Sequence, residues 1–279
     1  FPVDIWSKET ADYYLERVKA HLHPDIMKRN NWDLYSKRAQ KLDVTLLDID
    51  QAHLGTDGGI QLINTLTEEL RENGVAVHLR EEMLDIDTDS HTIRTNKRSL
   101  QYKTLVVAPG RKGFHFLQTL MDNLSIGYVD HIVDIGIRIE TKEQYYPIIH
   151  DYYDPKFLFP DRVRTFCTNS GNAHVVKEKI ISRYGQPYFS VNGHAFARKG
   201  DSGLVNFAML KTIRLTEPLA SGQEYAEILG LQAMVMGGGK PIMQRIGDFR
   251  LGKRSKAQTF NEDLYDFAPT LSGCTPGDI

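Results

Sequence analysis

Apolar positions recur at helical spacing near the start of the chain. In "TADYYLERVKAHL" (10 to 22), Ala11, Tyr14, Leu15, Val18 and Leu22 share one face, with Thr10 as a candidate cap. A weaker helical pattern runs through "DIMKRNNWDLYSKRAQKL", and "VTLLDID" (44 to 50) has the length of a short strand. The stretch "HLGTDGGIQLINTLTEELRENG" predicts a helix capped by Thr56 or Asp57, with Leu62, Ile63, Leu66 and Leu70 as its buried stripe and Gly74 as a left-handed end. "VAVHL" then alternates like a strand, because β-branched residues suit a pleated surface. "MLDIDTDSHTIRT" and "SLQYKTLVVAPG" predict a hairpin feeding a buried strand, Leu105 to Ala108, that Pro109 and Gly110 stop. "FHFLQTLMDNLSIG" adds an amphipathic helix carrying Phe116, Leu117, Leu120 and Leu124.

Strand, helix, strand, hairpin, strand and glycine turn make a piece of a doubly wound α/β layer. Glycine turns at the ends of such strands are where α/β proteins bind nucleotides. The texture changes near residue 130. "DIGIRIE", "VRTFCTNSGNAHVVKEK", "PYFSVNGHAF" and "SGLVNFAMLKTIRL" alternate between Gly, Asn, Ser and Pro turns, as antiparallel strands do. One helix, "GQEYAEILGLQAMVM", follows, with Tyr225, Ile228, Leu229 and Met236 near one face. The expected fold is α/β to α+β. Residues 1–45 form an unassigned helical leader, 46–127 a partial Rossmann-like layer, and 128–279 an inserted mixed or antiparallel sheet with a helix.

Composition narrows the function classes. The 279 residues carry a net charge of −2, which gives no basic footprint for nucleic acid or an anionic membrane. No apolar run approaches the roughly 20 residues of a spanning helix. Two cysteines, Cys167 and Cys274, do not make a disulfide framework and suit a reducing compartment, so a cytoplasmic location is expected. The chain opens on Phe1 and closes on "TPGDI"; both ends read as cut, so a piece of a longer protein is expected.

Several motifs fail on their chemistry. Asp85, Asp87 and Asp89 have calcium-loop spacing, but Ser90 stands where glycine is needed and Asn96 where the bidentate glutamate belongs. "GGGKP" (237 to 241) lacks the Ser/Thr of a phosphate loop, and the histidines of "HLHP" (21 to 24) lack metal-binding partners, so no metal is expected. There is no G-x-S-x-G elbow, and no GxGxxG follows any expected strand.

Small polar clusters on turns remain: "HLGTD" (53 to 57), "RTFC" (164 to 167), "NSGNA" (169 to 173), "NGHA" (192 to 195) and "NFA" (206 to 208). Each has a structural use, as hairpin turn, helix cap or small buried residue. Together they are expected to line one polar pocket. Arg164 suits an anionic substrate or a reduced flavin, His194 a proton transfer near neutral pH, and Cys167 redox or nucleophilic work if its thiol is acidified. His53, Thr56, Asp57 and Asn192 are the candidate substrate contacts.

The strings "HLGTDGG…LRENGVAVHL", "LVVAPGRKGFHFL", "DIGIRIE", "DPKFLFPDRVRTFC", "HVVKE", "VNGHAF", "NFAML" and "PIMQRIGDF…GKRS…APT" occur in this order. Together, over roughly residues 50 to 279, they resemble the bacterial FAD-dependent dehydrogenase-like proteins. The resemblance implies the central portion of an oxidoreductase whose FAD domain is discontinuous, with the phosphate-binding half upstream of Phe1. It implies that Ala108, Pro109 and Gly110 pass close to the cofactor and that Met83 offers backbone groups to the adenine. It implies hydride transfer between a small-molecule substrate and flavin, with NAD(P)H as a possible second partner. FAD is then expected in the full-length protein, whereas these residues alone are expected to lack it and to be inactive. Two other classes compete: a non-catalytic small-molecule or protein-interaction module, and a hydrolase using Cys167 with His194.

Overall fold

The computed structural model describes residues 5–22, 26–195, 200–218, 221–260 and 267–269, the side chain of Lys112 excepted. Its elements run α1 (Lys8–Leu22), α2 (Trp32–Gln40), β1 (Thr45–Leu46), α3 (Gly55–Glu72), β2 (Met83–Asp87), β3 (Thr92–Thr95), β4 (Ser99–Gln101) and α4 (Phe114–Asn123). They continue with β5 (Ile132–Lys142), β6 (Phe157–Phe159), β7 (Val163–Asn169), β8 (Ala173–Ile181), β9 (Pro187–Ala195), β10 (Leu204–Arg214) and α5 (Gly222–Met236). The fold is mixed α/β with antiparallel sheets.

A five-stranded sheet of order β1-β6-β7-β10-β5 forms the centre. Its longest ladder pairs β10 with β5 from Leu204 opposite Lys142 to Arg214 opposite Ile132. The β8–β9 hairpin packs on one face of this sheet, and α5 packs against β9 and β5. Glycine makes the second contact possible. A Cβ on Gly230 of α5 would sit 2.4 Å from the Tyr188 ring, so only a bare backbone lets the buried tyrosine lie against the helix.

The main hydrophobic cluster lies at the β1–β6 edge. Ala39, Val44, Leu46, Ile148 and Tyr152 pack with Trp32, Tyr35, Tyr146, Phe157 and Phe159. Tyr152 donates its hydroxyl to Leu47 O at 2.6 Å, which satisfies the polar end of a ring only 1% exposed. Hence β1 is an edge strand of the antiparallel sheet, and α2 packs on that edge. The expected boundary at residue 46 instead runs through β1, because the short apolar run "VTLL" pairs with β6 rather than with a parallel neighbour.

Two expected strands do not form. Residues 76–79 and 103–109 make no backbone–backbone hydrogen bond and join no ladder among the described residues, and Val106 is 84% exposed. The stripe of α3 is likewise open: the helix buries no residue, and Ile63 is 64% exposed. A parallel strand needs neighbours on both sides and cover on both faces. No described strand pairs with these segments, so Leu79, Val106, Ile63 and Leu70 are left exposed while their neighbours are only half-buried. The hairpin expected before them does form, as β2-β3-β4, but ends at Gln101. The cap of α3 falls at Leu54 with no side-chain bond, which leaves Thr56 and Asp57 inside the first turn.

In α5 the bounds follow the sequence, and Ser221 caps the helix by accepting from Glu224 N. Its buried face differs from the expected stripe: Glu227 and Met234 are inside and Ile228 is exposed. The tight Asp87 turn replaces the tempting calcium loop. Asp87 Oδ1 accepts from the Asp89 and Ser90 amides at 2.9 and 3.0 Å, an Asx turn at the tip of the hairpin. Among the described residues no helix is long and apolar enough to cross a membrane.

Candidate functional site

The site begins with an irregularity in β7. The register between β7 and β10 shifts between Asn206 and Ala208, and Cys167 there adopts a left-handed φ of 51°. A bulge of this kind turns a carbonyl out of its ladder and re-aims the side chains beside it. The freed Cys167 carbonyl accepts from Arg138 Nη1 at 3.2 Å and from Asn169 Nδ2 at 3.0 Å. Asn169 Nδ2 also lies 3.6 Å from Cys167 Sγ, a weak donor contact to sulfur.

Alternation places the next partners. Asn206 pairs with Asn169 on one side and Glu140 on the other, and Ala208 lies between Phe166 and Arg138. These rows share one face of the sheet, the face that the β8–β9 hairpin covers in part. Arg138 Nη1 donates to Asn206 Oδ1 at 2.5 Å, and Asn169 Nδ2 donates to the same oxygen at 3.3 Å. Gly193 of β9 sits directly above. A Cβ there would stand 2.1 Å from Arg138 Nη1, 2.2 Å from Asn169 Nδ2 and 2.4 Å from Asn206 Oδ1. The glycine of "NGHA" is therefore a point of close approach as well as a hairpin residue.

On the far side of the bulge, Thr168 N donates to Asp154 Oδ1 at 2.7 Å. Burial raises the hydroxyl pKa of the adjacent Tyr153, and the charges of Asp154 and Cys167 push it the same way. The His53 ring lies 5.3 Å from the Tyr153 ring, tilted by 43°, and burial lowers its pKa, partly opposed by Asp154 and Asp57. Lys156 pairs with Asp154 at 3.2 Å and holds Gln51.

The hairpin divides the expected site residues. His53, Asp57 and Cys167 gather around Tyr153 and Asp154. Asn192 and His194 flank Gly193 in β9, so they point away from the sheet. There Asn192 Nδ2 donates to Glu178 Oε2 at 3.4 Å, and Glu178 lies 3.6 Å from Arg111, the residue after Gly110. His194 stands opposite His174. Arg164 belongs to neither group: it pairs with Asp134 at 2.6 Å, five residues along the strand from Asn169, roughly 16 Å at 3.3 Å per residue. Met83 stands at the start of β2, opposite Thr95. Ala108, Pro109 and Gly110 form an open turn with Gly110 at φ +65° and nothing within 4 Å of an added Cβ. Cys274 and part of "HLHP" lie outside the described residues. A separate cleft of about 500 Å³ opens between Arg29, Trp32 and Asp48, away from these groups.

Sequence reasoning missed Arg138, Tyr153 and Asp154. Arg138 carried a usable signal: it interrupts the isoleucine alternation of "DIGIRIE", and a charge inside an apolar strand marks a polar site or a solvent face. Asn169 and Asn206 stood inside flagged clusters without being singled out. No protein-family model matches the chain, and no curated protein matches it.

Proposed function

We propose that the chain is the central portion of an FAD-dependent oxidoreductase acting on a small-molecule substrate. The observation that carries the reading is the placement of the Gly110 turn. Arg111 lies 3.6 Å from Glu178 of β8, whose other oxygen accepts from Asn192, so the expected cofactor-side turn neighbours the β8–β9 hairpin. The exposed apolar layer supports it further. The open face of α3 and the unpaired segments 76–79 and 103–109 leave apolar surface of the kind that a further layer of a nucleotide-binding domain would cover.

The residues fit one part of a flavin nucleotide. The left-handed Gly110, with open space at its α-carbon, lets a ligand approach the backbone closely. They do not fit its pyrophosphate, which a dinucleotide fold meets with a glycine loop at a helix N-terminus; no GxGxxG is present. FAD when bound would supply the hydride chemistry, and this chain's own residues would orient the substrate and exclude water. His53, beside Tyr153 and within electrostatic reach of Asp154 and Asp57, is the imidazole of the cluster and the side chain suited to moving a proton. The test is expression of the full-length protein and its visible absorption spectrum. A yellow protein with flavin bands is expected; a folded, colourless one that gains no colour with added FAD overturns the proposal.

The exposed α3 face equally suits a partner protein, which is the observation favouring an interaction module. The Cys167–His194 hydrolase has less support, since Gly193, not His194, faces the Cys167 cluster.

A further inference from the structure

We propose that Arg138 and Asn206 form a recognition site for a small organic carboxylate on the hairpin-side face of the central sheet. The inference stands apart from the flavin reading; if both hold, it names the chemical class of the substrate.

The charges on this face are unequal in their pairing. Arg164 is matched by Asp134 at 2.6 Å and Lys156 by Asp154 at 3.2 Å. Arg138 has no carboxylate within 4 Å among the described residues; Glu140, two positions along β5, does not reach it. Both partners of Arg138 are neutral oxygens, Asn206 Oδ1 and the Cys167 carbonyl, and both are held by Nη1. That leaves the other edge of the guanidinium. Nε is buried without a partner, and both side-chain bonds of Arg138 come from Nη1, none from Nη2, among the described residues. Asn206 is 0% exposed, and its Nδ2 is also buried without a partner, because Arg138 and Asn169 both donate to its oxygen and fix the amide's orientation.

These groups are all donors. An unpaired buried donor costs about 1–3 kcal/mol, and a cation taken from water without a counter-ion costs more. An anion is the ligand that would satisfy the free edge of Arg138, with Asn206 holding the guanidinium in place through Nη1. The free edge specifies which anion: Nε and Nη2 present two parallel N–H groups, the fork that grips a planar carboxylate with two bonds. The neighbouring surface suits an organic group on that carboxylate. Ala208 is a small residue in register between Arg138 and Phe166, and the Phe166 ring is partly exposed. Arg164 and Lys156 lie 5.3 and 5.5 Å from the Phe166 ring, each already paired with its own carboxylate.

The experiment follows the arginine Nε–Hε resonances by NMR while sodium benzoate, acetate or phosphate replaces chloride at constant ionic strength. One resonance, assigned to Arg138 by its loss in Arg138→Lys, is expected to shift saturably with benzoate and acetate and not with chloride. Benzoate should bind more tightly than acetate, and Ala208→Leu should weaken benzoate at least tenfold by filling the floor of the site. Arg164→Lys should leave the affinity unchanged within twofold. The absence of any saturable Hε shift in the unmodified protein overturns the proposal even if the Arg138 variant fails to fold. So does an equal response to phosphate, or an unchanged affinity in Ala208→Leu.

Discussion

His115 Nε2 donates to Glu227 Oε1 at 2.8 Å, and this bond ties the start of α4 to the middle of α5. Glu227 is 3% exposed, and its second oxygen accepts from the Arg183 amide at 3.4 Å with the Arg183 side chain at 3.8 Å. Gln223 donates to the first oxygen at 3.4 Å. One buried carboxylate therefore joins α4, α5 and the turn of the β8–β9 hairpin. It also links residues that sequence texture assigns to two separate domains.

Removing that carboxylate leaves a histidine and an arginine facing a buried void. Breaking a fully buried pair from one side costs about 3–5 kcal/mol; His115 and Arg183 are each about a third exposed, so water reaches them and the cost falls to about 1–3 kcal/mol. Glu227→Ala is expected to lower the unfolding free energy by about that amount in urea titrations. Glu227→Gln, which keeps the size and one acceptor, should cost clearly less. An equal loss in the two variants would show that shape, not charge, is what the site uses.

Gly193 gives a steric counterpart. A methyl group there meets Arg138, Asn169 and Asn206 at 2.1–2.4 Å, and both asparagines are nearly inaccessible and hydrogen-bonded. Overpacking of this kind costs about 1–3 kcal/mol. Gly193→Ala should destabilise the protein within that range. Gly171→Asn, at a φ of +73° with no neighbour within 4 Å, should be far milder, since asparagine tolerates the left-handed region. Thermal melts of the two variants, compared at one pH, check the contrast.

The Glu81–Arg98 pair gives a pH signature. The Arg98 guanidinium donates to both oxygens of Glu81 at 2.8 and 3.0 Å, and Thr95 adds a third bond. Together they hold the Glu81 carboxyl at about 2, below its ordinary value of 4.5. The unfolded chain binds the proton first as pH falls, so the folded state loses stability. The contribution is complete above the ordinary value and fades as pH falls from 4.5 through 2. Melting temperatures should drop across that window, and Glu81→Gln should flatten the drop while losing part of the stability at neutral pH. An unchanged slope in the variant would place the acid sensitivity elsewhere.

Local patterns were the most legible part of the sequence. The period of α1, the bounds of α5 and the β2–β3 and β8–β9 hairpins all rest on interactions between near neighbours. What periodicity cannot supply is a partner. "LVVA" has the composition of a buried strand, yet nothing described pairs with it, so it lies open. "VTLL" has the same texture and finds β6 more than a hundred residues away. The site divides in the same way. Asn169, Asn192 and Asn206 were visible as turn clusters, whereas Arg138 joined them only through the register of β5 on β10. Glu227 was hidden because its burial depends on His115 and Arg183, neither of which its own helix reveals.

The last prediction concerns the cofactor directly: residues 1 to 279 alone should bind FAD more weakly than micromolar. The pyrophosphate carries most of the charge to be met, and a dinucleotide fold meets it at a helix N-terminus. The glycine cluster beside lysine in this chain, Gly237 to Lys240, follows the C-terminus of α5, where the helix dipole repels an anion. The open turn at Ala108 to Gly110 offers one or two hydrogen bonds, each contributing about 1 kcal/mol net. Micromolar binding needs about 8 kcal/mol. Titration of FAD into the purified chain, followed by flavin fluorescence, should give no saturation in the micromolar range. Saturation there would mean that the exposed layer around α3 already contains a complete nucleotide site, and the proposed division of the cofactor domain would have to be abandoned.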